Sequence, residues 1–257
     1  MSGDFDDEGN EDDDDEYGED NEELSASKVR QILTPYERAA WIPVCNLGDG
    51  PVDCSKFSGI PYLNAKDSWP LCDVCKNPMQ LILQLDLKEA SKQSKSDCGE
   101  GLLQLFYCHH ASKNARKNSF LRLLEPGDKP QKIEKSPVPN AYPAKRITGW
   151  TLIENDYPHS SELFQFEDDI ECDIQDLADF VDRTEEFRPK RGDKLRGWHA
   201  WPQGADIHSC DTCGTDLELL MQIDSKSNLP LEFGSDGTAL IAQCPVHKDQ
   251  LRFDWSN

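Results

Sequence analysis

Eight side chains in this chain have the types and spacing needed to hold metal ions. Cys210 and Cys213 form a Cys-x-x-Cys, and thirty residues later Cys244-x-x-His247 supplies two more donors. Zinc takes four tetrahedral thiolate or imidazole ligands; two of them can share one tight turn while the others arrive from a distant strand end. Gly214 follows Cys213, where the backbone must fold back under the metal. An earlier set, Cys72-x-x-Cys75 followed by Cys108-His109-His110, has the same outline. Its fourth ligand is open among His109, His110 and Cys98. His110 is favoured, because adjacent residues at the end of an extended strand point to opposite sides. Two structural Zn2+ ions are expected, one held by Cys72, Cys75, Cys108 and His110, the other by Cys210, Cys213, Cys244 and His247.

Other chemistry fits these residues less well. A redox Cys-x-x-Cys belongs at a strand-to-helix turn in a βαβ unit, whereas both pairs here precede strand candidates. Catalytic zinc keeps an open coordination position, and both sets have candidates for a fourth ligand. There is no nucleophile elbow, phosphate-cradling glycine loop or paired-carboxylate motif. Asp86 and Asp224 recur behind Gln84 and Gln222 and could serve as an acid/base pair. The bonding of these Gln and Asp side chains to neighbouring backbone is the stronger expectation. Cys45, Cys54 and Cys172 match nothing, and His159, His199 and His208 stand alone as packing or solvent-facing residues.

The two sets sit in matching contexts. Residues 56–86 and 194–224 align without a gap, placing Lys56 on Lys194, Gly59 on Gly197, Leu81 on Leu219 and Gln84 on Gln222. Six identities fall between Cys72 and Asp86, and the match resumes with Gly101 on Gly237 and Cys108 on Cys244. A duplication that keeps its cysteines in step predicts two related halves around one thiol chemistry.

The positioning elements follow from periodicity. Strands are expected at Met79–Leu87, Leu102–Cys108, Ser119–Leu124, Leu217–Ser225, Thr238–Cys244 and Leu251–Trp255. Short helices are expected after Ser25 or Ser27 and again from Thr34-Pro35 through Trp41. Residues 43–70 read as loop-rich, 88–101 as an exposed hairpin loop, and 129–145 as a Pro/Lys-rich connection. Ile170, Ile174, Leu177 and Val181 recur at helical spacing, so residues 162–186 read as one helix with an acidic outer surface. The fold class is therefore α+β: two duplicated, mostly antiparallel strand-rich halves forming one pseudo-symmetric body, each with a zinc knuckle. Residues 25–150 form the N-terminal half and 151–257 the C-terminal half.

Residues 1–24 make up an acidic tail. The first 23 hold fourteen Asp/Glu and no Lys or Arg, against a net charge of −22 for all 257 residues. Such a segment cannot bury enough apolar surface to offset its ordering entropy and is expected to be disordered. An acidic tail on an acidic body repels phosphate, which excludes direct nucleic-acid binding and attracts a Lys/Arg-rich protein. No run approaches the roughly 20 apolar residues of a membrane helix, and the acidic start does not read as a signal peptide. A cytoplasmic location, with the nucleus as a further possibility, follows. In such a reducing compartment, paired cysteines bind metal or do redox chemistry.

The runs KFSGIPYL, WPLCDVCKNPMQLILQLDL and GLLQLFYC, with Phe253-Asp254-Trp255 near the C-terminus, resemble the YwqG-like family over residues 40–257. That widespread domain has no known function, and some of its members lack the cysteines. Ser58 and Arg196 replace the first glycine of its usual Gly-Gly, and Cys108 with a histidine replaces a later Cys pair. More distantly the layout is similar to the programmed cell death protein two family, the Tsr-type ribosome-assembly factors. That resemblance implies a chaperone for a basic ribosomal protein. The functional expectation is a zinc-stabilised, non-enzymatic protein-binding factor, a chaperone or adaptor for a basic client. The alternative is a hydrolase or other enzyme working in the groove between the halves.

Overall fold

The computed structural model describes residues 24–108, 118–127 and 129–257. The expected disordered tail lies outside them, apart from Leu24. Among the described residues, ten strands join one sheet, and its order explains how distant cysteines are brought together. The strands are β1 (Arg38–Leu47), β2 (Lys56–Phe57), β3 (Gln80–Asp86), β4 (Leu102–Tyr107), β5 (Ser119–Leu124), β6 (Lys145–Asp156), β7 (Lys194–Arg196), β8 (Glu218–Asp224), β9 (Thr238–Gln243) and β10 (Leu251–Ser256). They lie in the order β10-β9-β8-β7-β1-β6-β2-β3-β4-β5, and every named pairing is antiparallel.

Strands such as β4 and β9 are buried on both faces, and alternation sends successive residues to opposite sides. On β4, Leu103, Leu105 and Tyr107 enter the main core, while Phe106 faces a second cluster with Cys72, Met79, Leu81 and Cys108. On β9, Ala239 and Ile241 enter the main core, while Leu240 and Ala242 pack outside it with Trp201 and Leu219. Tyr107 meets Phe253 of β10 edge-on at 6.4 Å, so the two ends of the sheet curl toward each other. The sheet is nearly closed.

The two middle strands come from opposite ends of the sequence logic. β1 pairs with β6 along most of its length, and its start pairs Ala40 with Arg196 of β7. The start of β6 pairs Arg146 with Lys56 of β2. β6 thus straddles the division expected between residues 150 and 151. Neither middle strand was expected. The predicted helix from Thr34 through Trp41 stops as a single 3-10 turn at Thr34–Tyr36, because the edges of β6 and β7 claim the backbone from Arg38 onward.

Four helices are described: α1 (Ala26–Leu33), α2 (Leu87–Ser94), α3 (Ser160–Leu163) and α4 (Ile174–Arg183). α2 replaces the expected hairpin loop. The Asp86 carboxylate accepts from the Lys88 and Glu89 N–H groups, and Leu87, Ala90 and Ser94 bury one narrow stripe. The single helix expected at 162–186 is instead broken in two. A 3-10 segment covers Phe164–Asp169, and Asp173 caps a fresh start by accepting from Gln175 and Asp176 N–H. Val29 and Leu33 of α1 pack against Leu163 of α3 and Ile174, Leu177 and Val181 of α4, a helical core of its own. Among the described residues no helix is long and apolar enough to cross a membrane.

Candidate metal centres and the adjoining cavity

Each Cys-x-x-Cys sits in a tight turn just before a core strand. In the first, Cys72 N–H donates to Asn77 O, Lys76 N–H donates to Cys72 O, and Lys76 takes a left-handed φ of 61°. In the second, Cys210 N–H donates to Thr215 O, Gly214 N–H donates to Cys210 O, and φ of Gly214 is 72°. Only the second turn has the glycine that this conformation favours. β4 and β9 then bring Cys108 and Cys244 back across the sheet to the two turns.

The donor atoms converge. Cys213 Sγ lies 3.6 Å from Cys244 Sγ, and His247 Nδ1 lies 3.8 Å from Cys210 Sγ and 3.9 Å from Cys244 Sγ. In the first cluster Cys75 Sγ and Cys108 Sγ are 3.5 Å apart, with Cys72 alongside. A tetrahedron with arms of about 2.3 Å to sulfur and about 2.0 Å to nitrogen has edges of about 3.5–3.8 Å. Both clusters could therefore hold a metal ion. Cys244 Sγ also accepts from the Val246 and His247 N–H groups, which fixes its lone pairs as a second shell would.

The surroundings favour the thiolate, the form that binds metal, at Cys72, Cys210 and Cys213, whereas burial raises Cys244. Contacts with the Thr215 side chain and backbone bring the Cys213 thiol down to about 6. Burial would raise Cys72, but the Cys75 and Val74 N–H groups and the neighbouring thiols carry it below its ordinary value. His109 and His110, the candidates for the fourth ligand of the first cluster, lie outside the described residues. Cys98 does not join that cluster: it sits in the main core and receives the Arg196 guanidinium at 3.3 Å.

Asp86 and Asp224 have structural partners. Asp86 caps α2, and Asp224 accepts from Gly192 N–H at 2.8 Å and from Arg191. The glutamines beside them tie loops to the sheet. Gln84 Oε1 accepts from Tyr62 N–H while its amide donates to Val52 O and Cys54 O. Gln222 does the same with Ala200 N–H, Lys190 O and Gly192 O.

Opposite these glutamines stand two buried lysines. Lys56 Nζ reaches Asp49 Oδ1 at 2.6 Å, and Lys194 Nζ reaches Asp156 Oδ2 at 2.7 Å. Ile60 and Trp198 N–H groups complete the two carboxylates. Two left-handed residues terminate each of these strands: Ser58 and Gly59 directly after β2 (φ 59° and 86°), and Arg196 and Gly197 at the end of β7 (φ 59° and 81°). At Gly59 a Cβ would stand 2.6 Å from Asp49 Oδ1, so the glycine lets the aspartate in.

A cavity of about 210 Å3 adjoins the second cluster, between α3 and the outer face of β8 and β9. Its walls include Arg38, Glu162, Trp198, His199, Trp201 and Glu218. Arg38 lies over the Trp198 ring, 3.5 Å from its centroid. Glu162 is buried, accepts from His159 N–H in a capping box, and burial pushes its carboxyl up to about 7. His199 is buried too, and burial, then Lys194, holds its imidazole down to about 3. At the mouth, His208 Nε2 lies 3.4 Å from Asp206 Oδ2 and 3.9 Å from Asp254 Oδ2. Sequence reading passed over Arg38 and Glu162, which no local spacing unites, and took His208 to stand alone, whereas it meets Asp206 and Asp254.

A protein-family model described as a domain of unknown function, DUF1963, matches residues 55–252. That interval contains both thiol clusters and both buried lysines, but neither Arg38 nor Asp49. No curated protein matches the chain.

Proposed function

We propose that this chain, which belongs to the family of the domain of unknown function DUF1963, is a zinc-stabilised, non-enzymatic protein-binding factor, a chaperone or adaptor with a basic client. The observation that carries this reading is the charge of one face. Asp168, Asp169, Glu171, Asp176, Asp179 and Asp182 are all exposed on the α4 layer, while its apolar residues are buried beneath them. Residues 1–23 bring fourteen further carboxylates. A Lys/Arg-rich partner is what such a surface attracts. The capping and bracing roles of Asp86 and Asp224 support the non-enzymatic reading. A reducing cytoplasmic or nuclear setting would keep the thiolates available.

The body is, on this reading, a YwqG-like duplication with a zinc knuckle in each half. The register supports it: Lys56 faces Gln84 as Lys194 faces Gln222, and bulges fall at Leu81/Leu83 and Leu219/Met221. Four soft or borderline donors at tetrahedral spacing are the set zinc selects.

The test is affinity capture from native cells with the full chain and with residues 1–23 deleted. Basic proteins should be enriched, association should slow with added salt, and deletion should lower the association rate more than it raises dissociation. Capture of no basic protein, or binding indifferent to salt, would refute the client reading.

A further inference from the structure

We propose that the cavity between α3 and the outer face of β8 and β9 is a receptor for a single basic side chain, an arginine or lysine, of a protein partner. This rests on the basic-client reading and names the site within it. At about 210 Å3 the cavity is smaller than the roughly 300–1,000 Å3 of drug-sized ligand sites and suits one side chain. Its walls carry the carboxyl groups of Glu162, Asp206, Asp216 and Glu218 against Arg38 and His208, and Glu218 also meets Arg196 at 3.8 Å. The indoles of Trp198 and Trp201 line it as well.

Arg38 shows the chemistry that these walls accept. Its guanidinium rests on Trp198; burial, and then Arg196, work against its charge, and Glu218, Glu162 and Asp156 offset part of that. Cations over indole faces gain most when they are desolvated. A second cation would meet the remaining acids, since Asp206 and Asp216 stand on the wall formed by the second cysteine turn.

An independent feature asks for a donor. His199 is only 3 % exposed and lines the cavity, and its Nδ1 has no hydrogen-bond partner. Its Nε2 meets Thr238 Oγ1 at 3.0 Å, and that hydroxyl donates to Ala200 O. With that hydroxyl proton on Ala200 O, Nε2 carries the ring proton and Nδ1 is left as the acceptor. An unmade bond on a buried acceptor is costly, and a cationic N–H would make it. The outer end of the cavity is open past the exposed Asp206 and Asp216, so a side chain can enter while its backbone stays outside.

The test uses the full-length, zinc-loaded chain labelled with nitrogen-15, and four probes: the N-acetyl amides of arginine, lysine, citrulline and norleucine. The Trp198 and Trp201 indole N–H signals, assigned with Trp→Phe variants, report binding. The cationic probes should shift them saturably in the millimolar range, and the neutral probes should not. Glu162→Gln keeps an acceptor for His159 N–H and should weaken the cationic probes by about tenfold or more, the scale of a charge-assisted hydrogen bond. Glu218→Gln, on the half-exposed rim, is the second variant and should weaken them by a smaller factor.

Equal shifts from arginine and citrulline amides, or no saturable shift from either cation, would overturn the proposal. So would preference for an anionic probe such as N-acetyl aspartate amide. A basic client that binds the Glu162→Gln protein as tightly as the wild type would remove the cavity from the interface and leave the acidic face standing. Probe binding without any captured client would do the reverse.

Discussion

Asp156→Ala should be among the most destabilising single changes in the body, and much worse than Asp49→Ala. Asp156 and Lys194 are both 0 % exposed, and their charged atoms are 2.7 Å apart. The carboxylate also accepts from Lys190 N–H at 2.6 Å and from Trp198 N–H at 2.7 Å. Truncation therefore strands one buried ammonium and two backbone donors. Breaking a buried pair from one side costs about 3–5 kcal/mol, and each orphaned donor adds about 1 kcal/mol or more. Burial already lowers the Lys194 pKa, so deprotonation of Lys194 would recover part of this.

A net loss of about 4–5 kcal/mol is expected, which for a body of this size means roughly 10–15 °C in Tm. Asp49 makes the matching bonds to Lys56 and Ile60, but its side chain is 35 % exposed. Water can enter from that side to meet Lys56 Nζ and Ile60 N–H, and the loss there should be about 1–2 kcal/mol. Denaturant melts of both variants measure the difference. Adding Lys194→Met to Asp156→Ala should restore about half the loss, because the stranded charge is then gone. Equal losses at the two sites, or no rescue, would show that burial of the pair is not what makes Asp156 costly.

Two further expectations follow from the site. Cys210→Ser should destabilise far more than Cys45→Ser, and a strong chelator should loosen the parent protein to a similar degree, since structural zinc contributes on the order of 10 kcal/mol to folding. Fewer than one zinc per chain by elemental analysis would refute this. Glu162 titrates at about 7 in the folded chain because it is buried, with His159 N–H, Trp201, Arg38 and Lys194 pulling the other way. The folded state therefore holds this proton above the unfolded value, and stability falls as pH rises from about 4.5 to about 7. Glu162→Gln removes that term, so its stability relative to the wild type should improve by up to about 3 kcal/mol between pH 5 and pH 8. A difference that is flat with pH would refute the assignment.

The six outer strands were legible because they are short, mostly apolar runs bracketed by turn signals. The thiol turns were legible because metal geometry fixes their spacing. β1 and β6 were not. RAAWIPVCNL carries Pro43 and follows a helix-like Thr-Pro, and KRITGWTLIEND is exposed along much of both faces. Their strand character comes from each other, through pairings that run from Arg38 with Asp156 to Leu47 with Lys145. α2 was hidden because KEASKQS is polar on all but one narrow stripe, and only Asp86 and the core beneath it decide its state. The Lys–Asp pairs illustrate the same limit. Lys56 and Lys194 align at once, but Asp49 and Asp156 lie at unrelated distances from them in sequence and meet them only through the ends of β1 and β6.

The exchange of middle strands also sets a timetable for synthesis. Ala40 pairs with Arg196, so about 150 residues must be made after β1 before its second neighbour exists. At about 5–20 residues per second that is a wait of roughly 10–30 s. Throughout it Ala40 and Trp41 of β1 lack their β7 partners, and β2 waits in the same way for β6. Unpaired strand edges are where nascent chains associate wrongly. This body can close only when its last third emerges.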